Sequence, residues 1–134
     1  MYIEVALMEE LNNIESIKDN IYPINAYEGV NYPYLTYQVE NDGPTQFLSG
    51  GYTSSRELDI NYDLYCESYQ ELKEEEMKIA DLLRDLWNCY IGSSNSFFIQ
   101  SIKVRGPREL YEHEVDCYRA NFEVSLTYKK EGGI

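Results

Sequence analysis

From Glu57 to Leu64 the chain alternates polar and apolar side chains without a break. Leu58, Ile60, Tyr62 and Leu64 fall on one side, and Glu57, Asp59, Asn61 and Asp63 on the other. Successive side chains of a β-strand point to opposite faces, so a period of two over residues 56–66 predicts a strand with one buried and one wet face. Tyr118 to Tyr128 alternates in the same way, and Phe97 to Arg105 reads as a further strand. Gly106-Pro107 and the charged run Glu109 to Glu114 lie between these two, which suits an antiparallel hairpin with a loose connection.

A sheet that is wet on one face must cover the other. Ile3, Leu7 and Leu11 recur at helical spacing with Glu4, Glu9 and Glu10 off the stripe, which predicts a short amphipathic helix. Asn12-Asn13 weakens it there, and Ile14 and Ile17 offer a further turn. A longer helix is expected from about Ser68 to Tyr90. Ser68 is a good N-cap, and Glu71 three residues later completes a capping box. Leu72, Ile79, Leu83, Leu86 and Trp87 form its apolar stripe; Glu74, Glu75, Lys78 and Asp81 form its wet side, with Glu74 and Lys78 in the favourable i, i+4 order. Gly92 and Ser93-Ser94-Asn95 stop it.

Tyr34 to Val39, rich in β-branched and aromatic residues, is one more strand, ending at the turn residues Asn41-Asp42-Gly43-Pro44. Residues 43–55 follow, with Gly43, Gly50, Gly51, Ser54 and Ser55 around Gln46-Phe47-Leu48. This arm is either a hairpin or one long exposed loop. The expected fold is α+β: a mainly antiparallel sheet, with a short N-terminal helix and one long helix packed on one face. At 134 residues with 43% hydrophobic content, a single domain with a real core is expected.

Charge narrows the partners. Eleven basic residues stand against 24 acidic ones, for a net charge of −13. Affinity for nucleic acid comes largely from Lys and Arg that displace counterions, so direct duplex recognition is disfavoured. The start, MYIEVALMEEL, has early acids and no basic leader, so no signal peptide is expected. No stretch approaches the roughly 20 apolar residues of a membrane span. Cys66, Cys89 and Cys117 are odd in number and match no zinc or redox spacing, so reduced thiols are expected. The 14 tyrosines suit both sheet faces and wet interfaces.

A search for catalytic sets comes back empty. The one histidine, His113, sits among Glu112, Glu114 and Asp116, but tight zinc binding wants more nitrogen or sulfur donors, and a solvated turn residue is expected. Gly50-Gly51 lacks the Lys-Ser/Thr of a phosphate loop. No nucleophile motif accompanies His113. Glu57, Asp59 and Asp63 form a row of carboxylates spaced about 6.5–7 Å apart along the strand. Such a row suits glycosidic acid–base work, a solvated outer face cross-paired with Lys103 or Arg105, or an acidic strip facing a lumen. No metal or cofactor is expected.

The order of these segments carries a resemblance. An N-terminal helix leads into Ile21-Tyr22-Pro23, then Tyr32-Pro33-Tyr34-Leu35-Thr36-Tyr37. A flexible arm precedes Glu57-Leu58-Asp59-Ile60-Asn61-Tyr62-Asp63-Leu64-Tyr65, and a long helix and a closing strand at Tyr118-Arg119-Ala120-Asn121-Phe122-Glu123-Val124 follow. Over nearly its whole length the chain resembles the tail-completion proteins (tail terminators, tail-to-head joining proteins) of long-tailed phages. The resemblance implies a non-enzymatic virion protein at the head–tail junction, assembled in the host cytoplasm. It would cap the tail tube as a hexameric ring, whether or not the free protein is a monomer, and meet the head connector. DNA would pass through the lumen without being specifically bound. By region, it implies that the arm, with Gln46, Phe47, Leu48 and Tyr52, contacts a neighbouring subunit or the tube. A head-completion or neck adaptor, and a non-phage protein-binding module using an open sheet edge, are the alternatives. An enzyme using the carboxylate row ranks behind them.

Overall fold

The structure, a computed structural model, describes residues 1–131. Its helices are α1 (Ile3–Leu11) and α2 (Tyr69–Arg84). Its strands are β1 (Ile21–Pro23), β2 (Tyr34–Gln46), β3 (Tyr52–Cys66), β4 (Tyr90–Ile91), β5 (Phe97–Glu112) and β6 (Cys117–Lys130). They form one sheet in the order β1-β2-β3-β6-β5-β4. Only the β1–β2 pairing is parallel; the rest are antiparallel.

The period-two segment becomes the centre of the sheet. Leu58 pairs with Leu126, Ile60 with Val124, Tyr62 with Phe122 and Leu64 with Ala120, and all eight are buried. Burying one such large apolar side chain stabilises the fold by about 1.5–3 kcal/mol. Ile3, Ala6, Leu7 and Leu11 of α1, and Leu72, Ile79, Ala80 and Leu83 of α2, join the same core cluster. The two helices therefore cover one face of a mainly antiparallel sheet. At the start of α2, Ser68 Oγ accepts from the Glu71 N–H at 3.2 Å, while Glu71 Oε1 accepts from the Glu67 N–H at 3.1 Å. Ile14 and Ile17 are buried beside a 3-10 turn at Glu15–Ile17.

Several expectations need correction. Helix α2 stops at Arg84, short of Tyr90. Past it the backbone is claimed by the sheet: Asn88, at φ 60°, donates to Ile99 O at 2.9 Å, and Ile99 donates to Cys89 O at 2.9 Å. Leu86 is still buried, but Trp87 is 62% exposed and leaves the apolar stripe. Glu75 is buried rather than wet, because Ser16, in the 3-10 turn after α1, packs on that side of α2 and donates to its carboxylate. Lys78 accordingly bonds Glu75 at 3.1 Å, not Glu74.

The strands are also longer than the turn residues suggest. β2 runs through Asn41-Asp42-Gly43-Pro44 to Gln46, with a bulge between Val39 and Asn41. Beyond β1 this is an edge strand, where proline and glycine are tolerated. The charged run after Pro107 is likewise strand as far as Glu112. A second bulge, between Arg105 and Arg108, requires its glycine: Gly106 sits at φ +100°, and a Cβ there would lie 2.6 Å from the Asn121 carbonyl oxygen.

Candidate assembly surfaces

Residues 43–55 fold as a hairpin. At its tip Phe47 N–H donates to Gly51 O at 2.7 Å, Gly50 N–H donates to Phe47 O at 3.0 Å, and Gln46 Nε2 donates to Gly50 O at 3.1 Å. The backbone is thus formed while the apolar side chains have nothing to pack on. Phe47 is 59% exposed, Leu48 111% and Tyr52 68%. Gln46 pairs with Tyr52 where the tip closes. At the base, Tyr128 closes the core: its hydroxyl donates to Asp42 Oδ1 at 2.7 Å and accepts from Arg56 Nε at 3.2 Å.

The sheet face away from the helices is uncovered and acidic. Glu57, Asp59 and Asp63 lie along it as one row. Asp59 Oδ1 accepts from Ser125 Oγ at 2.7 Å, and Asp63 Oδ1 accepts from Asn121 Nδ2 at 3.1 Å with Arg119 Nε at 3.8 Å. Glu57 is exposed. Cross-pairing with Lys103 or Arg105 does not occur. β6 separates β3 from β5, and Arg105 Nη1 instead faces Glu123 Oε2 at 3.7 Å.

Glu40 and Glu123 are acids of this face that the sequence reading missed. Glu40 accepts from the Asn61 amide, and both acids line a shallow depression with Asp59, Arg105 and Ser125. Glu123 stands on the polar phase of its alternating segment, so the pattern held that signal. Glu40 was lost because the strand was ended too early. The depression is open, and among the described residues no histidine or cysteine lines it.

A different surface runs between α2 and β5. Met77, 66% exposed, Ala80 and Pro107 make an apolar floor, with Lys73, Asp81 and Arg84 at the rim. Lys73 Nζ bridges Glu76 Oε1 at 3.3 Å and Glu109 Oε2 at 3.0 Å, and Tyr69 OH donates to Glu109 Oε1 at 3.1 Å. The Lys73 ammonium holds the Glu109 carboxyl below the usual carboxylate range, while burial pushes the Glu76 carboxyl up. Sequence reasoning missed this groove, since it needs a non-local pairing of α2 with a bulged strand. Across the sheet, Val5, Pro23, Ile24, Tyr37 and Val39 line a second apolar groove.

His113 is exposed at the β5–β6 turn, its ring edge-on to Tyr111 at 4.8 Å. Among the described residues, no group of His, Cys, Asp and Glu side chains is placed to hold a metal ion. Cys66 and Cys117 are buried free thiols, and Cys89 is half-buried. No described helix is long and apolar enough to cross a membrane.

The fold is therefore an α+β sheet with one face covered by helices, one face bare, and a projecting hairpin. A solved chain from the virion of a native gene transfer agent particle superposes on it with a TM-score of 0.70. That alignment spans 94% of this chain and 93% of the other, at 10% identity. A second solved chain superposes with a TM-score of 0.54 over 96% of this chain and 93% of its own, at 14% identity. At these identities the likeness is one of fold. No family model matches the chain. No curated protein matches it either.

Proposed function

We propose that this chain is a structural protein of a tailed phage or phage-like particle that caps the tail tube as a ring, stops tube growth and joins the tail to the head connector. The observation that carries this reading is the likeness of fold, over nearly the full length of both chains, to a chain of a gene transfer agent virion. The arm supports it. A hairpin tip presenting Phe47, Leu48 and Tyr52 to water is unfavourable unless a neighbour covers it, since contiguous exposed apolar groups mark interaction sites.

On this reading the protein works by binding, not by catalysis. The arm contacts a neighbouring subunit or the tube. The uncovered face with Glu57, Asp59 and Asp63 lines the lumen, where its negative field keeps passing DNA from adhering. The site of action is the head–tail junction of the virion.

The test is to mix the purified protein with tail tubes and image them by electron microscopy. A six-fold ring at the tube end opposite the tip is the expected result. Bare tubes, with the protein on head portals instead, would replace this reading by that of a neck adaptor. Binding to neither would remove the virion role.

A further inference from the structure

We propose that two copies of this chain pair through the bare sheet face, about a two-fold axis parallel to the strands, with the β3 acids of each against the β5 cations of the other. The inference does not depend on the ring reading.

Strand parity puts the opposing charges on one face. Glu57, Asp59 and Asp63 take the outward phase of β3, and Lys103 and Arg105 the outward phase of β5. Arg108 stands three residues beyond Arg105 and would point inward on a regular strand. The bulge at Gly106 absorbs the extra residue and returns Arg108 to the outer face, opposite Asn121. β6 lies between the two rows, so they run side by side about 9.5 Å apart.

The rows are also in step. Ser125 of β6 pairs with both Asp59 and Lys103, Glu123 with Asn61 and Arg105, and Asn121 with Asp63 and Arg108. Within one molecule these charges stay apart. Among the described residues Lys103 and Arg108 join no ion pair, and neither do Glu57 and Asp59. Facing sheets pack about 10 Å apart, close enough for long side chains to meet. A two-fold axis along β6 then sets Lys103 against Asp59, and Arg108 against Asp63, of the other copy, twice over. An axis across the strands would set Lys103 against Arg108 and Asp59 against Asp63. Charge admits only the first.

Glu123 falls on the axis and meets its own copy. Arg105 Nη1, 3.7 Å from Glu123 Oε2 in each molecule, offsets that repulsion. Thr127, Ser125 and Asn121 along β6 are short, and two shallow depressions open beside Ser125. They leave room for lysine and arginine from the facing sheet.

A chain of net charge −13 repels its copies in most approaches, and opposite charges in register select this one. Both patches lie on one surface, so the contact is isologous and closes at two. A face so covered cannot line a lumen. Where the chain caps a tube the pair must part first, so pairing holds the free protein back from assembling alone.

The test is the mass of the free protein by sedimentation. It is measured at about 0.01 M salt, where charges act over about 30 Å, and at about 1 M, where they act over about 3 Å. The expected result is a dimer at low salt whose mass halves at high salt. A carbodiimide, which couples an ammonium to a carboxylate in contact, should join Lys103 to Asp59 within a covalent dimer, read by mass spectrometry. Both readouts use the unaltered chain. K103E/R108E and D59K/D63K should each be monomeric alone and pair one to one when mixed, and all four changes in one chain should restore the dimer. A monomer at low salt and high concentration, or a dimer indifferent to the swaps, overturns the pairing. Tube capping by a strictly monomeric protein removes this pairing and leaves the tail-capping reading standing. A swap-sensitive dimer that binds neither tube nor portal does the reverse.

Discussion

The Tyr128 hydroxyl donates to Asp42 Oδ1 at 2.7 Å, tying the last strand of the chain to the base of the arm across 86 residues of sequence. Tyr128 is 1% exposed, so its hydroxyl has no solvent to turn to. Arg56 Nε approaches both partners, at 3.2 Å from Tyr128 Oη and 3.3 Å from Asp42 Oδ1. Leaving a buried polar group unsatisfied costs about 1–3 kcal/mol, and Arg56 offers Tyr128 a donor but no acceptor. Asp42→Ala should therefore destabilise the fold by roughly that amount in urea denaturation, and Asp42→Asn by less. Equal stability of all three proteins would show that the contact holds nothing.

Gly106 gives a sharper backbone test. Its φ of +100° and the 2.6 Å approach to the Asn121 carbonyl leave no room for a methyl group. Gly106→Ala should lower stability by more than about 1 kcal/mol. Gly43→Ala, where a Cβ meets nothing within 4 Å, is the matched control and should be close to neutral. Thermal melts of the pair decide it.

Alkaline pH should unfold this protein in a defined direction. Burial pushes the Tyr128 hydroxyl from its ordinary 10.0 up to about 12, and burial also pushes Tyr34 up to about 12. Tyr62, fully buried, is raised as well, again by burial. A raised folded-state value means the unfolded chain loses these protons first. Stability is then fully present below pH 10 and falls as pH rises toward 12. Phenolate absorbance should rise in two stages, exposed tyrosines first and the rest together with loss of the β-sheet signal. A single smooth titration that leaves the sheet intact would contradict this.

The arm should be separable from the fold. Phe47→Ser and Leu48→Ser remove exposed side chains without touching the core, so stability should shift by no more than about 0.5 kcal/mol. Tube capping, read by electron microscopy, should be lost. Capping retained with both substitutions present would take the arm out of the mechanism.

Neutralising Glu57, Asp59 and Asp63 to their amides should also leave the fold intact, since an amide oxygen still accepts from Ser125 and Asn121. Under the lumen reading, particles carrying the triple variant eject DNA more slowly. Unchanged ejection would end that assignment.

What the linear pattern decided by itself is substantial. The alternation from Glu57 to Leu64 determined which side chains of β3 are buried, because a strand's period of two admits only one partition when half the residues are apolar. The helix start at Ser68 was legible for a similar reason: a cap is a local arrangement of a few residues. The glycines around Gln46-Phe47-Leu48 marked a turn-rich segment, and the structure folds it as the tip of the β2–β3 hairpin. Tertiary structure alone decided the rest. The bulge after Val39 shifts β2 by one residue, placing Asp42 opposite inward-facing Leu58 and within reach of Tyr128. The end of α2 was set by β5 capturing the backbone at Asn88 and Cys89, and the burial of Glu75 by Ser16. The α2–Pro107 groove exists only because a distant bulge brings Pro107 under the helix. Each of these depends on a partner far along the chain, and local periodicity has no information about which partner arrives.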